Sequence, residues 1–411
     1  MADRDTGGFV YDPFAPEVMA NPLPFYEVLR RDHPVYYSEK YDTFFFSRFA
    51  DVVEMLDYVD NSFLATESSL PMSDYLAGRH NTAAPPVPPT DPFPMAQQLG
   101  QPIYGEIRRA HGKPLRPNQV LALRDFLRQQ VDERLNRLLP QKQFDLVKDF
   151  TGPISAAMML HLFGMPLELA DQALELVNAG SRRDGEYGKV DPMEAAARVV
   201  AFYAPYVRAR AEAGHDGSVP LIDGMFDYRI DGRPLTLEEI TPQLVCAFIG
   251  GVETTPKITA AGLMELEGHP DQLSRIRADL ATNVPKAAEE IIRYCAPAQW
   301  FLRTAHKPVT VAGQQIKPGQ RAVFIVASAL RDEHEFDEPD KFIWDRPIER
   351  VLSFGHGIHY CIGVHLARME VQVMIERFLE RVPRYRIDRD KLVRYPSSFQ
   401  WGWNEIPVEI G

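Results

Sequence analysis

Cys361 and the neighbouring pair Glu253 and Thr254 are the residues of this chain whose types and settings most readily do chemistry. Cys361 lies in FGHGIHYCIG (354–363), just ahead of the helical pattern CIGVHLARMEVQVMIERFLERV. A thiol at a helix start meets amide N–H groups and the positive end of the dipole, which favour the thiolate and lower its pKa. Gly355, Gly357 and Gly363 let the backbone turn tightly and approach a flat ligand. A thiolate presented in this way can ligate iron, whereas a lone cysteine can equally be an inert core thiol. Glu253 and Thr254 stand in GGVETTP, within an otherwise apolar stretch, where an unused acid and hydroxyl are costly to bury. Together they suggest a proton relay. The plainer alternative is that Thr254 bonds back to the preceding turn and Glu253 reaches a surface partner. In PKAAEEIIRYC, Glu290 and Arg293 are three apart and share a helix face, as many solvated pairs do.

These residues need elements to hold them. The relay pair falls in a stretch read as one long helix over 236–268, which at ~1.5 Å per residue crosses the whole molecule and so passes through the core. Residues 117–215 read as successive helices, among them VLALRDFLRQQVDERLNRLLP, FDLVKDFTGPISAAMMLHLFGM and MEAAARVVAFYAPYVRARAEAG. PLPFYEVLRRDHP is a short helix, VYYSEKYDTFFFSR a hairpin, and KPVTVAGQQIKPGQRAVFIVA a set of short strands with Gly-bearing turns. Between 60 and 103 the pattern dissolves. Prolines at 85, 86, 88, 89, 92 and 94 exclude helix and central strand there, leaving a long loop that is either a substrate-side lid or a mobile insertion.

Composition fits that picture. The chain has 411 residues, 45% hydrophobic and 25% charged, so it can bury a large core and enclose a small cofactor. Its net charge of −12 argues against a broad nucleic-acid-binding surface. Three widely spaced cysteines, Cys246, Cys295 and Cys361, make no disulfide framework and suit a reducing cytoplasm. The opening MADRDTGGFVYDPFAPE has neither a basic n-region nor an apolar run, and no segment approaches the ~18 apolar residues of a membrane span. The expectation is a cytoplasmic protein without an anchor. No repeat or linker divides it.

The frame Phe354-x-x-Gly-x-x-x-Cys361-x-Gly363 resembles the haem-binding loop of the cytochrome P450 family. The resemblance implies a mainly α fold with small β-sheets, a single domain spanning 1–411, and haem b with Cys361 as its proximal ligand. It places Gly250, Gly251, Glu253 and Thr254 in an oxygen-binding groove, where Pro256 removes a backbone donor, the helix kinks over the haem and Glu253 passes protons inward from bulk water. Glu290 and Arg293 become a structural pair completed by Arg346 of FIWDRP. The haem propionates fall to Arg108, Arg303 and His359, with Tyr104 standing where many relatives have a histidine. The resemblance covers nearly the whole chain and is weakest over 60–103.

The implied reaction is insertion of one atom of O2 into an organic substrate. No Gly-x-Gly-x-x-Gly fingerprint or cysteine cluster supplies electrons, so a separate ferredoxin or flavodoxin with its NAD(P)H reductase is implied. Arg108, Arg109, Lys113, Arg116 and Arg368 form a candidate basic docking patch for such a donor on an otherwise acidic monomer. By family position the pocket is lined from the Pro-rich loop and by Leu244, Ala247, Phe248, Ala298, Trp300, Phe301 and Phe399, with Trp401 near. These aromatics favour a small apolar substrate, aromatic or terpenoid, for hydroxylation or O-dealkylation. SSFQWGW is similar to a segment of bacterial members that dealkylate aromatic ethers. The other readings are a peroxide-driven or non-redox haem-thiolate enzyme and a non-catalytic haem-based sensor. The Glu253–Thr254 pair argues for O2 activation over both.

Overall fold

Alternating β-branched and aromatic residues pair as their pattern dictates: β1 (Val35–Ser38) and β2 (Thr43–Phe46) form an antiparallel hairpin with Val35 opposite Phe46. In the computed structural model, which describes residues 8–78, 80, 83–181, 192–395 and 397–411, this hairpin joins β3 (Phe63–Leu64), β4 (Phe301–Ala305) and β5 (Arg321–Phe324). The order is β1-β2-β5-β4-β3, with β5 parallel to β2 and antiparallel to β4. The sheet therefore staples residues 35–64 to residues 301–324 of the C-terminal half. Val309–Val311 and Gln314–Ile316 make a separate hairpin, whose turn residues Ala312 and Gly313 both have positive φ.

Most of the remaining regular structure is helical. Helix α1 (Ile103–Gly112) follows the Pro-rich segment; α2 (Arg124–Leu138), α3 (Gly152–Leu162), α4 (Ala170–Ser181) and α5 (Pro192–Ala213) fill the stretch expected to be helical. Residues 182–191 of that stretch, and residues 1–7 of the opening, lie outside the described residues. One expected helix there starts late. FDLVKDFTG opens with a strand, Gln143–Asp145, paired to Pro407–Ile410, and a wide turn at Leu146–Thr151 before α3 begins. Asp145 accepts from Val147 N–H at 2.8 Å and Lys148 N–H at 2.7 Å, capping the turn where the periodicity alone had carried the helix through.

The long helix over 236–268 is divided. It consists of α6 (Leu237–Gln243) and α7 (Val245–Gly268), with a break at Leu244. Pro242 explains this, because it has no N–H to bond back one turn and its ring crowds the carbonyl there. α6 is capped by a reciprocal box in which Thr236 Oγ1 accepts from Glu239 N–H and Glu239 Oε2 accepts from Thr236 N–H. α7 then runs through Pro256 as one helix, packed on α3, on α8 (Leu280–Tyr294) and on α9 (Val364–Arg381), the helix after Cys361. No helix among the described residues is long and apolar enough to cross a membrane.

The 60–103 segment is mostly irregular, as expected, but it is fastened. Phe93 N–H donates to Glu239 Oε1 at 2.5 Å, Ala96 N–H to Gln243 Oε1 at 2.8 Å, and Gln243 Nε2 to Pro94 O at 2.8 Å. Phe93, Ala96 and Leu99 are buried, and Arg233 grips Glu239 through two bonds of 2.8 Å. Residues 79, 81 and 82 lie outside the described residues. The Arg233 guanidinium, helped by the Phe93 and Thr236 amides, overcomes burial and holds the Glu239 carboxyl down at about 2 from its ordinary 4.5. A depressed carboxyl stabilises the fold above its unfolded-state value, so this latch is complete above about pH 4.5 and is lost as pH falls toward 2. Glu239→Ala is expected to cost ~1–3 kcal/mol in chemical denaturation and to speed limited proteolysis within 84–95. Unchanged cleavage there contradicts the latch.

Candidate functional site

Cys361 sits at the end of a loop closed by its own backbone. Cys361 N–H donates to Phe354 O at 2.8 Å and Gly355 N–H to Leu352 O at 2.8 Å. Gly357 has φ of 67°, and a Cβ there would collide with the Leu56 carbonyl, so no other residue fits. Gly363 precedes α9 and has open space where a Cβ would lie. The expected lowering of the Cys361 pKa is not found: burial pushes the thiol up, and the Gly363 amide, Arg108 and Arg368 only oppose it. Desolvation outweighs the helix start here, so a thiolate at this position would need a coordinated metal ion, which deprotonates a thiol outright.

The acid–alcohol pair lies in the middle of α7, which packs on α9, the helix that follows this loop. Gly251 is packed under Met159, while Gly250 faces open space. Thr254, half-buried, donates to Gly250 O at 2.7 Å, the back-bond its position allows. Glu253 does not reach solvent as the relay reading expected. It is 4% exposed and its Oε1 accepts from Lys257 Nζ at 3.2 Å and from the Tyr395 hydroxyl at 3.2 Å.

A second group of polar residues converges from three elements. Tyr104 and Arg108 come from α1, Arg303 from β4 and His359 from the Cys361 loop. The Tyr104 and His359 rings lie 4.4 Å apart between centroids. Arg108 donates to the Tyr104 hydroxyl at 3.1 Å and also bonds the Tyr360 carbonyl. Arg303 is buried, donates to Leu302 O at 2.8 Å, and among the described residues pairs with no carboxylate. Burial pushes its guanidinium down to about 10. Burial, then Arg303 and Arg108, pushes His359 far below its usual value, and its Nε2 is buried without a partner. A buried guanidinium and an orphaned imidazole nitrogen with no acid between them call for an anion from outside the chain. That donor set, beside the open space at Gly250 and Gly363, fits a flat group carrying carboxylates.

Glu290 closes a fully buried triad. Arg293 binds it at 2.7 and 2.8 Å, Arg346 Nε lies 3.1 and 3.2 Å from its two oxygens, and Ile343 N–H donates at 3.0 Å. Arg293 also bonds Leu330 O and Pro339 O, so one carboxylate fixes the irregular chain that leads into the Cys361 loop.

A cavity of about 180 Å³ borders Glu253. Ile249, Val199, Trp300, Ser398 and Phe399 line it, and Leu70–Met72 is the part of the 60–103 segment that reaches it. Trp300 is fixed by its Nε1–H to Ser398 O bond of 2.9 Å. Leu244 and Phe248, expected at this wall, are fully buried elsewhere: Phe248 packs on Phe163 and Tyr203 at 5.0 and 5.5 Å. Ala247 is half-buried, Ala298 bridges Gln400, and Phe301 stacks on Phe324 and meets Phe399, all off the cavity wall. Helix geometry accounts for the shift. Ile249 is one turn before Glu253, while Phe248, five before it, points about 140° away around the helix. Lys257 and Tyr395 were not foreseen; a lysine one turn after an acid on an apolar helix was the signal for the first, and nothing local marked the second.

The description "Cytochrome P450" belongs to the family model that matches residues 194–382. The chain is 28% identical over 404 residues to cytochrome P450 109 of Bacillus spizizenii, covering 95% of this chain and 92% of that one. A solved mutant of P450 EryK in complex with erythromycin B superposes with a TM-score of 0.81 at 26% identity, over 96% of this chain and 97% of that one. P450BioI, solved with an acyl carrier protein bearing hexadec-9Z-enoic acid, gives 0.80 at 24% identity, over 96% and 99%. In Glu290→Ala, two buried guanidiniums lose their counter-charge at a cost of ~3–5 kcal/mol. The purified variant is expected to retain less than about a tenth of the haem held by the unsubstituted protein, since about 1.4 kcal/mol is a factor of ten, read as Soret absorbance per protein; full occupancy contradicts the role given to the triad.

Proposed function

The chain belongs to the cytochrome P450 family and is a haem-thiolate monooxygenase that acts with O2; from that premise we propose that it hydroxylates or O-dealkylates a small apolar molecule, aromatic or terpenoid. The observation that carries the cofactor assignment is the buried, acid-free group of Arg303 and His359 beside the Cys361 loop. Cys361 would ligate the iron, Arg108, Tyr104, Arg303 and His359 would hold the propionates, and Phe354, Gly363 and Gly250 would border the group. Haem, when bound, supplies iron on which O2 is reductively split, one atom going to substrate and the other to water.

The chain's own part is to position substrate and move protons. Thr254 offers a hydroxyl that exchanges its bond to Gly250 O for one to an incoming water, and the Glu253 carboxylate relays the proton behind it. Trp300 and Phe399 give the cavity an aromatic wall, and its volume suits a compact molecule. Relatives solved with a macrolide and with an acyl carrier protein share the fold, so the substrate class rests on this chain's cavity alone.

Electrons come from a separate ferredoxin, or a flavodoxin, with its NAD(P)H reductase, in the cytoplasm. Arg109, Lys113 and Arg116 are exposed at and after the end of α1, where Gly112 lies against Ile362 beside Cys361. They are the docking residues for an acidic donor. Arg108 turns inward and Arg368 is committed to Glu289 at 2.8 and 2.9 Å, so both leave the patch.

In Thr254→Ala, product formed per NAD(P)H consumed is expected to fall by about tenfold or more, with hydrogen peroxide released instead; unchanged coupling removes Thr254 from the relay. Small aromatic ethers and terpenoids are expected to shift the ferric enzyme from low to high spin, and Phe399→Ala to extend the response to bulkier members. A shift produced only by long-chain or macrocyclic compounds contradicts the substrate class.

A further inference from the structure

Glu253 is held by residues outside the acid–alcohol pair. Lys257, one turn further along α7, has a side chain only 3% exposed. Its Nζ is 3.2 Å from Glu253 Oε1, 2.5 Å from Gln400 Oε1 and 3.7 Å above the Tyr395 ring. Tyr395, 1% exposed, donates to the same Glu253 oxygen at 3.2 Å. An ammonium this deep is tolerated because an anion, an amide oxygen and an aromatic face all meet it. Burial pushes Lys257 below its usual value and Glu253 pushes it back. The arrangement also reaches substrate. Glu253 lines the cavity, and so do Ser397, Ser398 and Phe399, the residues directly before Gln400.

We propose that Lys257 and Tyr395 are positioning residues for proton delivery, holding the Glu253 carboxylate at the cavity wall and tying it through Gln400 to the segment 397–400 that closes the same cavity. The proposal rests on the monooxygenase reading above and adds to it two residues and a direction. The carboxylate, next in sequence to Thr254, is held on one oxygen by Lys257 from the following turn of its own helix and by Tyr395 from the C-terminal segment. Released from them, it has no partner fixing its rotamer among the described residues, and the relay is assembled in only a fraction of molecules.

The test uses haem-loaded Lys257→Met, Tyr395→Phe, Glu253→Gln and the Lys257→Met/Glu253→Gln double variant, assayed with one substrate that produces a spin shift. Product per NAD(P)H is expected to fall about tenfold in Lys257→Met and about threefold in Tyr395→Phe, which keeps the ring beneath Lys257 and loses the hydroxyl that donates to Glu253. Because both act through Glu253, Lys257→Met adds nothing in the Glu253→Gln background. A second readout follows proton delivery itself: the kinetic solvent isotope effect on product formation is expected to rise in Lys257→Met and Tyr395→Phe as it does in Glu253→Gln, and an unchanged isotope effect in Lys257→Met overturns the proposal. If Lys257→Met does not fold, Tyr395→Phe and the double variant, which buries no lone charge, carry the same comparison. Unchanged coupling in Lys257→Met and Tyr395→Phe while Glu253→Gln uncouples overturns the proposal and leaves the monooxygenase reading standing. A further loss on adding Lys257→Met to Glu253→Gln also overturns it, since the lysine then serves packing alone. Unchanged coupling in Glu253→Gln overturns the relay itself.

Discussion

A charge taken out of water must meet its counter-charge, and this molecule is organised by how it meets that demand. Glu290 is satisfied by Arg293 and Arg346 and so locks the chain ahead of the Cys361 loop. Glu67 and Arg321, 3.0 Å apart and both 1% exposed, tie the variable segment to the sheet, with Thr304 donating to the same carboxylate at 2.6 Å. Glu253 and Lys257 satisfy one another at the cavity. Among the buried arginines of the described residues, Arg303 alone pairs with no acid. The paired sets build the walls, and Arg303, left open, is a seat for an anion that the chain does not encode.

That division explains why the site is two-sided. The Cys361 loop is rigid because its glycine turns and the Glu290 triad leave it no alternative path. The cavity wall is built differently, from single side chains of α5, α7, β4's approach and the C-terminal segment, with the Glu239 latch holding the Pro-rich chain clear of it. A fixed face at the Cys361 loop stands against a cavity face assembled from exchangeable contributions, on a fold shared with proteins solved with erythromycin B and with an acyl carrier protein.

Local spacing made much of this legible. Cys361 comes seven positions after Phe354, Arg293 three positions after Glu290, and Glu253 adjoins Thr254; each arrangement is short enough to be read along the chain. The β1–β2 hairpin was equally visible from its alternation. What escaped was decided at long range or by one residue's veto. Pro242 divides a helix that its hydrophobic content made continuous, and Asp145 caps a turn inside another. Leu244 and Phe248 were assigned to the cavity although the helical angle from Glu253 favoured Ile249. Tyr395 and Gln400 meet Glu253 and Lys257 across more than 140 residues, a pairing that no local pattern reports. The thiol at Cys361 shows a competition of magnitudes: its amide and two arginines are present as expected, and burial still outweighs them.

The central claim is that Cys361 binds haem iron as a thiolate in the slot bounded by Gly250, Gly363, Arg303 and His359. The absorption spectrum of the purified, dithionite-reduced, CO-saturated protein tests it most directly. The account predicts the strongly red-shifted Soret band of a thiolate-ligated ferrous–CO haem, abolished in Cys361→Ser while the chain stays folded. A band at the position that histidine ligation gives, or a thiolate band that survives in Cys361→Ser, contradicts it.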